Sequence, residues 1–169
     1  LMLDISKSMN RNNAGGEVRL VDASGNATIS TRLDLAKTGL IALVEEYYSQ
    51  SSSVAVKLGL FASSALMLNG GNVYADKASL IAAINGITGD EITSATNYIA
   101  ALQTVQTAFG TPDPSKINAS YFVSDGAPST DPSAQITTWS AFAAANGIKS
   151  YAVGIGTGIA DISYLNSIH

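Results

Sequence analysis

Asp4-Ile5-Ser6-Lys7-Ser8 carries an oxygen-bearing side chain at every second position. An extended or loop segment with that spacing turns three oxygens to one side. Two further oxygen side chains stand at element ends: Thr96, where a loop enters a helical pattern, and Asp125, which with Gly126 closes an apolar strand pattern. In a doubly wound sheet, the loops at the carboxyl ends of the strands converge where the strand order reverses. If the strands before Asp4 and Asp125 are neighbours there, Asp4, Ser6, Ser8, Thr96 and Asp125 meet. An all-oxygen set suits a hard cation, Mg²⁺ or Ca²⁺ with Mn²⁺ also admissible, and suits zinc or copper poorly. Two carboxylates balance a divalent charge and the hydroxyls add none, which leaves such an ion able to accept one more anionic oxygen.

Other chemistries find less support. Asp4 after a first strand is also the plan of a Mg²⁺-dependent aspartyl phosphotransferase or phosphatase of the haloacid-dehalogenase kind. Those enzymes carry a second Asp two residues on, where Ser6 stands here, and a supporting lysine, for which Lys7 is the nearby residue. The single histidine, His169, is the last residue printed and is poorly placed for a triad. With no cysteine, thiol catalysis, disulfides and zinc–thiolate sites are excluded. Gly154-Ile155-Gly156-Thr157-Gly158 follows a strand pattern, but Ile159 occupies the third glycine position of a dinucleotide loop. A tight strand-to-helix turn is the simpler expectation. Asp90 and Glu91 read as a solvated loop and Trp139 as packing. The chain is expected not to be an enzyme.

The elements that must position these residues follow from periodicity. Leu1–Leu3 read as a strand. Residues 10–30 form a polar insertion in which Glu17–Asp22 and Ala27–Ser30 flank Ser24-Gly25-Asn26 as a hairpin. Thr31 with Asp34 resembles a capping box opening a helix to about Ser49, in which Leu33, Ala36, Leu40, Leu43, Val44 and Tyr47 repeat at helical spacing. Val54–Ala62 reads as a buried strand and Ala65–Leu68 as a short edge strand closed by Asn69-Gly70-Gly71-Asn72. Helices are expected from Asp76 through Ile84, from Thr93 or Ser94 past Phe109, over Ser133–Ala145, and from Asp161 onward. Tyr121–Ser124 and Ile148–Ile155 supply further strands. The alternation predicts an α/β fold: a doubly wound, mostly parallel, Rossmann-like sheet with one short antiparallel edge strand and helices on both faces. Residues 1–169 read as one domain, clipped at both ends.

Net charge is −4, from nine basic and thirteen acidic residues, and no basic stripe is visible. That argues against nucleic acid as a partner. Apolar residues make up 46% of the chain but never run for the ~20 positions of a membrane span, so no membrane insertion is expected.

Asp4-x-Ser6-x-Ser8-Met9, Thr96 and Ser124-Asp125-Gly126 together resemble the metal-ion-dependent adhesion site of von Willebrand factor type A domains. The order of elements resembles that family over nearly the whole chain. The resemblance implies that Ser6, Ser8 and either Thr96 or Asp125 hold a divalent metal directly, with Asp4 and the remaining partner acting through water. It also implies a non-enzymatic adhesion module, whose metal takes a carboxylate from a protein or other ligand. One departure is Ser94-Ala95, where the family often has Gly-Gly ahead of the Thr. The scarcity of Lys and the richness in Ala, Ser, Asn and Gly resemble type A modules of large bacterial repeats-in-toxin surface adhesins. That implies an extracellular or cell-surface setting within a longer multidomain chain. A domain acting only as a structural spacer is the remaining alternative.

Overall fold

The strand that carries Asp4 lies at the centre of the sheet. The computed structural model describes residues 1–10, 19–21, 27–29, 31–90, 95–156 and 162–169. Its five-stranded sheet has the order β5-β4-β1-β6-β7, built from β1 (Met2–Asp4), β4 (Gly59–Phe61), β5 (Ala65–Met67), β6 (Asn118–Ser124) and β7 (Ile148–Gly154). β1 pairs in parallel with β4 on one side and with β6 on the other, and β6 pairs in parallel with β7. β5 alone runs antiparallel, against β4. A separate hairpin, β2 (Arg19–Val21) with β3 (Ala27–Ile29), lies between β1 and the first helix, as the insertion's pattern predicts. Its turn, Ser24–Asn26, lies outside the described residues.

The alternation of side chains along the strands supplies two cores. Met2 and Phe122 face one side of the sheet, with α3 (Tyr98–Phe109), α4 (Ser133–Ala145) and the short α5 (Ser163–Asn166) packed over them. Leu3 and Val123 face the other side, under α1 (Arg32–Gln50) and α2 (Lys77–Asn85). On α1 the fully covered residues are Leu33, Ala36, Leu40 and Val44, a helical stripe facing Leu3 and Leu58. Trp139 is fully buried among the α3–α4 packing and donates its indole N–H to Ser150 Oγ at 3.0 Å, so its role is packing as expected. Tyr47 is exposed, while Tyr48 is partly covered.

Capping fixes where the helices begin. The Thr31 hydroxyl accepts from the Asp34 N–H while Asp34 accepts from the Thr31 N–H, so the capping box forms as the sequence suggests. Asp76 and Ser79 make a second box at α2. The expectation of a helix from Thr93 or Ser94 is corrected: α3 starts at Tyr98, capped by Asn97. The Asn97 N–H donates to the Ala62 carbonyl, and Thr96 exchanges backbone and side-chain bonds with Ser129, so this stretch is spent on tertiary contacts and cannot wind. The Val54–Ala62 strand is also shorter than expected, because β1 offers a ladder only to Gly59–Phe61. β6 extends earlier than expected, since β7 supplies a seven-residue ladder along it. Asp161, expected to open the last helix, lies outside the described residues. Among the described residues no helix is long and apolar enough to cross a membrane.

The order places the switch point between β1 and β6. The chain leaves β1 and returns through α1 to β4 on one flank, while β6 occupies the other. Loops leaving the carboxyl ends of β1 and β6 therefore diverge around a crevice.

Candidate metal centre

The loop after β1 is held by its own first residue. Asp4 is fully buried, and its Oδ1 accepts from the Ser6 backbone N–H at 2.8 Å, an Asx turn that bends the chain off the strand. The Ile5 N–H donates to the Phe61 carbonyl, and Met9 N–H to Ser6 O, which closes a 3-10 turn over Lys7–Asn10. Met9 anchors that turn in the α1 core. The Asp90 N–H donates to the Ile5 carbonyl at 2.7 Å, so the loop after α2 clamps the same segment from outside. Lys7 points outward and is exposed.

These restraints bring the hydroxyls into a chain of contacts. Thr96 Oγ1 lies 3.4 Å from Ser6 Oγ, Ser6 Oγ lies 3.1 Å from Ser8 Oγ, and Ser8 Oγ donates to Asp125 Oδ1 at 2.8 Å. Behind them Ser124 Oγ donates to Asp4 Oδ2 at 2.6 Å, which couples the ends of β6 and β1. Asp4, Ser6, Thr96, Ser124 and Asp125 are all buried, while Ser8 is half-buried and marks the side nearer solvent. All five residues singled out by spacing are thus joined in one network. Thr96 is placed by Ser129, whose Oγ accepts the Thr96 N–H at 2.8 Å and whose N–H returns a bond to the Thr96 carbonyl. Tyr98 OH donates to the Gly126 carbonyl at 2.6 Å and fastens the turn after Asp125.

Burying two carboxylates together is electrostatically costly. Burial pushes the Asp4 carboxyl up to about 6; hydrogen bonds from Ser124 and Ser6 pull it back, and the nearby Asp125 adds a smaller upward push. Asp125 is met by a cation, with Arg32 Nη1 2.5 Å from its Oδ2. Burial likewise pushes the Tyr98 hydroxyl upward, so it remains a donor at neutral pH. Among the described residues no group of three or more His, Cys, Asp and Glu converges. The oxygens that the network gathers belong to two carboxylates and three hydroxyls, a set whose chemistry would fit a hard divalent cation.

A family model described as the von Willebrand factor type A domain matches residues 18–169. The chain belongs to that family. A search of curated protein sequences returned no match. Among solved structures, this type A domain resembles proximal thread matrix protein 1 from the mussel byssus (TM-score 0.71, 18% identity, covering 99% of this chain and 39% of that one). The same mussel protein has been solved with a zinc-occupied metal-ion-dependent adhesion site motif, which this chain matches at TM-score 0.70 and 18% identity over 99% of its length and 40% of that chain. An aerotolerance-related membrane protein from Bacteroides fragilis matches at TM-score 0.67 and 22% identity over 92% of this chain and 65% of its own. A manganese-loaded TRAP protein of Plasmodium vivax matches at TM-score 0.63 and 18% identity, covering 99% and 60%. At these identities the likeness is one of fold, and the type A domain spans less than two thirds of each of these structures.

Within the type A domain, Ser129 and Arg32 fall outside the sequence motifs, and Ser124, quoted with Asp125-Gly126, has no role assigned by spacing. Ser124 stands next to Asp125 but reads as part of a strand end. Ser129 lies in a plain loop pattern and acts on a residue 33 positions earlier. Arg32 carried a local signal, because a cation at the first position of a helix opposes the helix dipole and needs a partner elsewhere. Ser94, the departure noted before Thr96, lies outside the described residues, as do Glu91 and Thr157–Asp161. His169 is exposed at the end of the chain.

Proposed function

We propose that this type A domain holds a divalent cation through Asp4, Ser6, Ser8, Thr96 and Asp125 and uses it to grip a carboxylate on a partner. The observation that carries the reading is the buried chain of contacts from Thr96 through Ser6 and Ser8 to Asp125, with Asp4 anchored behind it. Five oxygen side chains from three separate loops face one another, four of them buried and Ser8 half-buried. Family membership supports the coarser statement that this is a module of metal-dependent adhesion or ligand binding. The zinc-occupied motif of the mussel protein and the manganese-loaded Plasmodium protein support a divalent ion at the corresponding place.

Each residue has a distinct part. Asp4 and Asp125 supply the negative charge, Ser6, Ser8 and Thr96 supply neutral oxygens, and Ser124 and Ser129 orient Asp4 and Thr96. When bound, the cation supplies an open position of Lewis-acid character for one anionic oxygen. The half-buried Ser8 edge is the side from which a partner would approach. Mg²⁺ and Ca²⁺ are the proposed ions because the oxygens are hard donors, and an extracellular or cell-surface setting within a longer chain accompanies the adhesion reading. Asp4, the nucleophile a phosphotransferase would need, is fully buried with both oxygens engaged by Ser6 and Ser124, which supports a binding role over phosphoryl transfer.

Calorimetric titration of chelator-treated protein with Mg²⁺ and then Ca²⁺ tests this reading. Saturable one-to-one binding is expected in wild type, with loss in Asp4→Ala and in Thr96→Ala. Equal heats in all three proteins would reject the site.

A further inference from the structure

We propose that Arg32 is a built-in rival of the cation for Asp125, so that the guanidinium must release this carboxylate before a divalent ion can use it. The inference rests on the metal reading above and adds a residue that lies outside the ligand pattern. Both Asp125 oxygens are engaged: Oδ1 accepts from the Ser8 hydroxyl and Oδ2 from Arg32 Nη1. The Asp125 side chain has no exposure while that of Arg32 retains 18%. The arginine therefore covers the carboxylate from the solvent side.

Three segments build a seat for this side chain. Arg32 is the first residue of α1, and the Thr31–Asp34 capping box fixes the backbone beneath it. A helix N-terminus disfavours a cation, so the helix itself gives Arg32 no reason to stay. One acceptor that holds it lies 93 residues away, at the end of β6. Gly156, in the turn after β7, makes room: its φ is +102°, and a Cβ there would lie 2.9 Å from Arg32 Nε and 3.3 Å from its Cδ. The turn is itself tied to the end of β6 by the Ile155 N–H donating to the Ser124 carbonyl. Exposed ion pairs between long side chains often contribute nothing measurable, but this pair is fixed at both ends and half-withdrawn from water.

A guanidinium and a divalent ion on one buried carboxylate repel each other strongly in a low-dielectric setting. They are alternatives, and affinity for the ion is reduced by whatever the Arg32–Asp125 pair contributes. Arg32→Gln removes the charge and leaves only a shorter side chain ending in a neutral amide. Arg32→Lys keeps a charge but loses the planar fork.

Calorimetric titration of chelator-treated wild type, Arg32→Gln and Arg32→Lys with Mn²⁺, with thermal melts in EDTA and in saturating Mn²⁺, tests the proposal. Loss of one charge-assisted bond predicts binding roughly ten- to a hundredfold tighter in Arg32→Gln, with Arg32→Lys between it and wild type. In EDTA, Arg32→Gln should melt below wild type, and saturating Mn²⁺ should close most of that gap. If Arg32→Gln does not fold, tighter binding by Arg32→Lys supports the proposal and unchanged or weaker binding overturns it. Equal or weaker binding by Arg32→Gln, with wild type still binding, overturns the rivalry and leaves the metal site standing. Absence of Mn²⁺ binding in every protein at millimolar concentration overturns both.

Discussion

Asp4 shows most clearly what the fold asks of single residues. It is a carboxylate with no exposure, held by Ser124 and Ser6, and burial raises its pKa from 3.8 to about 6. A group whose folded pKa is raised contributes stability below its unfolded pKa and loses it as pH rises through the folded one. In EDTA, then, melting temperature should fall as pH rises from about 4 through about 6, a loss on the order of 3 kcal/mol. Asp4→Asn should flatten that slope, and an equal slope in both proteins would contradict the assignment. Ser124→Ala should cost about 1–3 kcal/mol in chemical denaturation, because it strips a 2.6 Å donor from a buried carboxylate oxygen. The cost should shrink in an Asp4→Asn background, where no charge is left undonated. At this scale the sequence was informative about ligand-type residues and silent about their supports. Asp4, Ser6 and Ser8 reveal themselves by local spacing. Ser124, Ser129 and Arg32 act on partners 120, 33 and 93 positions away, and nothing local encodes such distances.

At the scale of elements, the site depends on where helices refuse to start. Helical propensity permits winding from Thr93, yet α3 waits until Tyr98 because Thr96 and Asn97 are bound to Ser129 and Ala62. That delay keeps the Thr96 hydroxyl turned toward Ser6. Ser129→Ala should therefore remove the side-chain acceptor of the Thr96 N–H, costing about 0.5–1.5 kcal/mol of stability because water can reach the exposed Ser129 position. It should also weaken Mg²⁺ binding, read by calorimetry, with the helix content in circular dichroism unchanged. Binding as tight as wild type would show that Thr96 needs no such brace. The α1 start was legible because its cap lies within four residues, Thr31 to Asp34, whereas the α3 start is decided by tertiary bonds that periodicity does not carry. The shortened β4 has the same origin: apolar residues run from Val54 to Ala62, but a ladder exists only where β1 lies alongside.

For the molecule as a whole, the order β5-β4-β1-β6-β7 makes the crevice between β1 and β6 the natural seat of function. Alternating strands and helices implied a doubly wound sheet and left the pairing of β1 with β6 as a condition; that pairing is why residues 4–8 and 125 can meet at all. A cation bound there ties together loops from β1, from the start of α3 and from β6, so it should stabilise the entire fold. At a hundredfold excess over its dissociation constant, Mg²⁺ should add roughly 2.7 kcal/mol, seen as a higher melting temperature that EDTA reverses. The same gain should be absent in Asp125→Ala.

The most direct test of the central claim is anomalous diffraction from crystals of the protein soaked in Mn²⁺. The account predicts one strong peak between the carboxyl ends of β1 and β6, at about 2.1–2.4 Å from the Ser6 and Ser8 hydroxyl oxygens and absent from Asp4→Ala crystals. No peak in that crevice at saturating Mn²⁺, or one held by residues elsewhere on the surface, would contradict it.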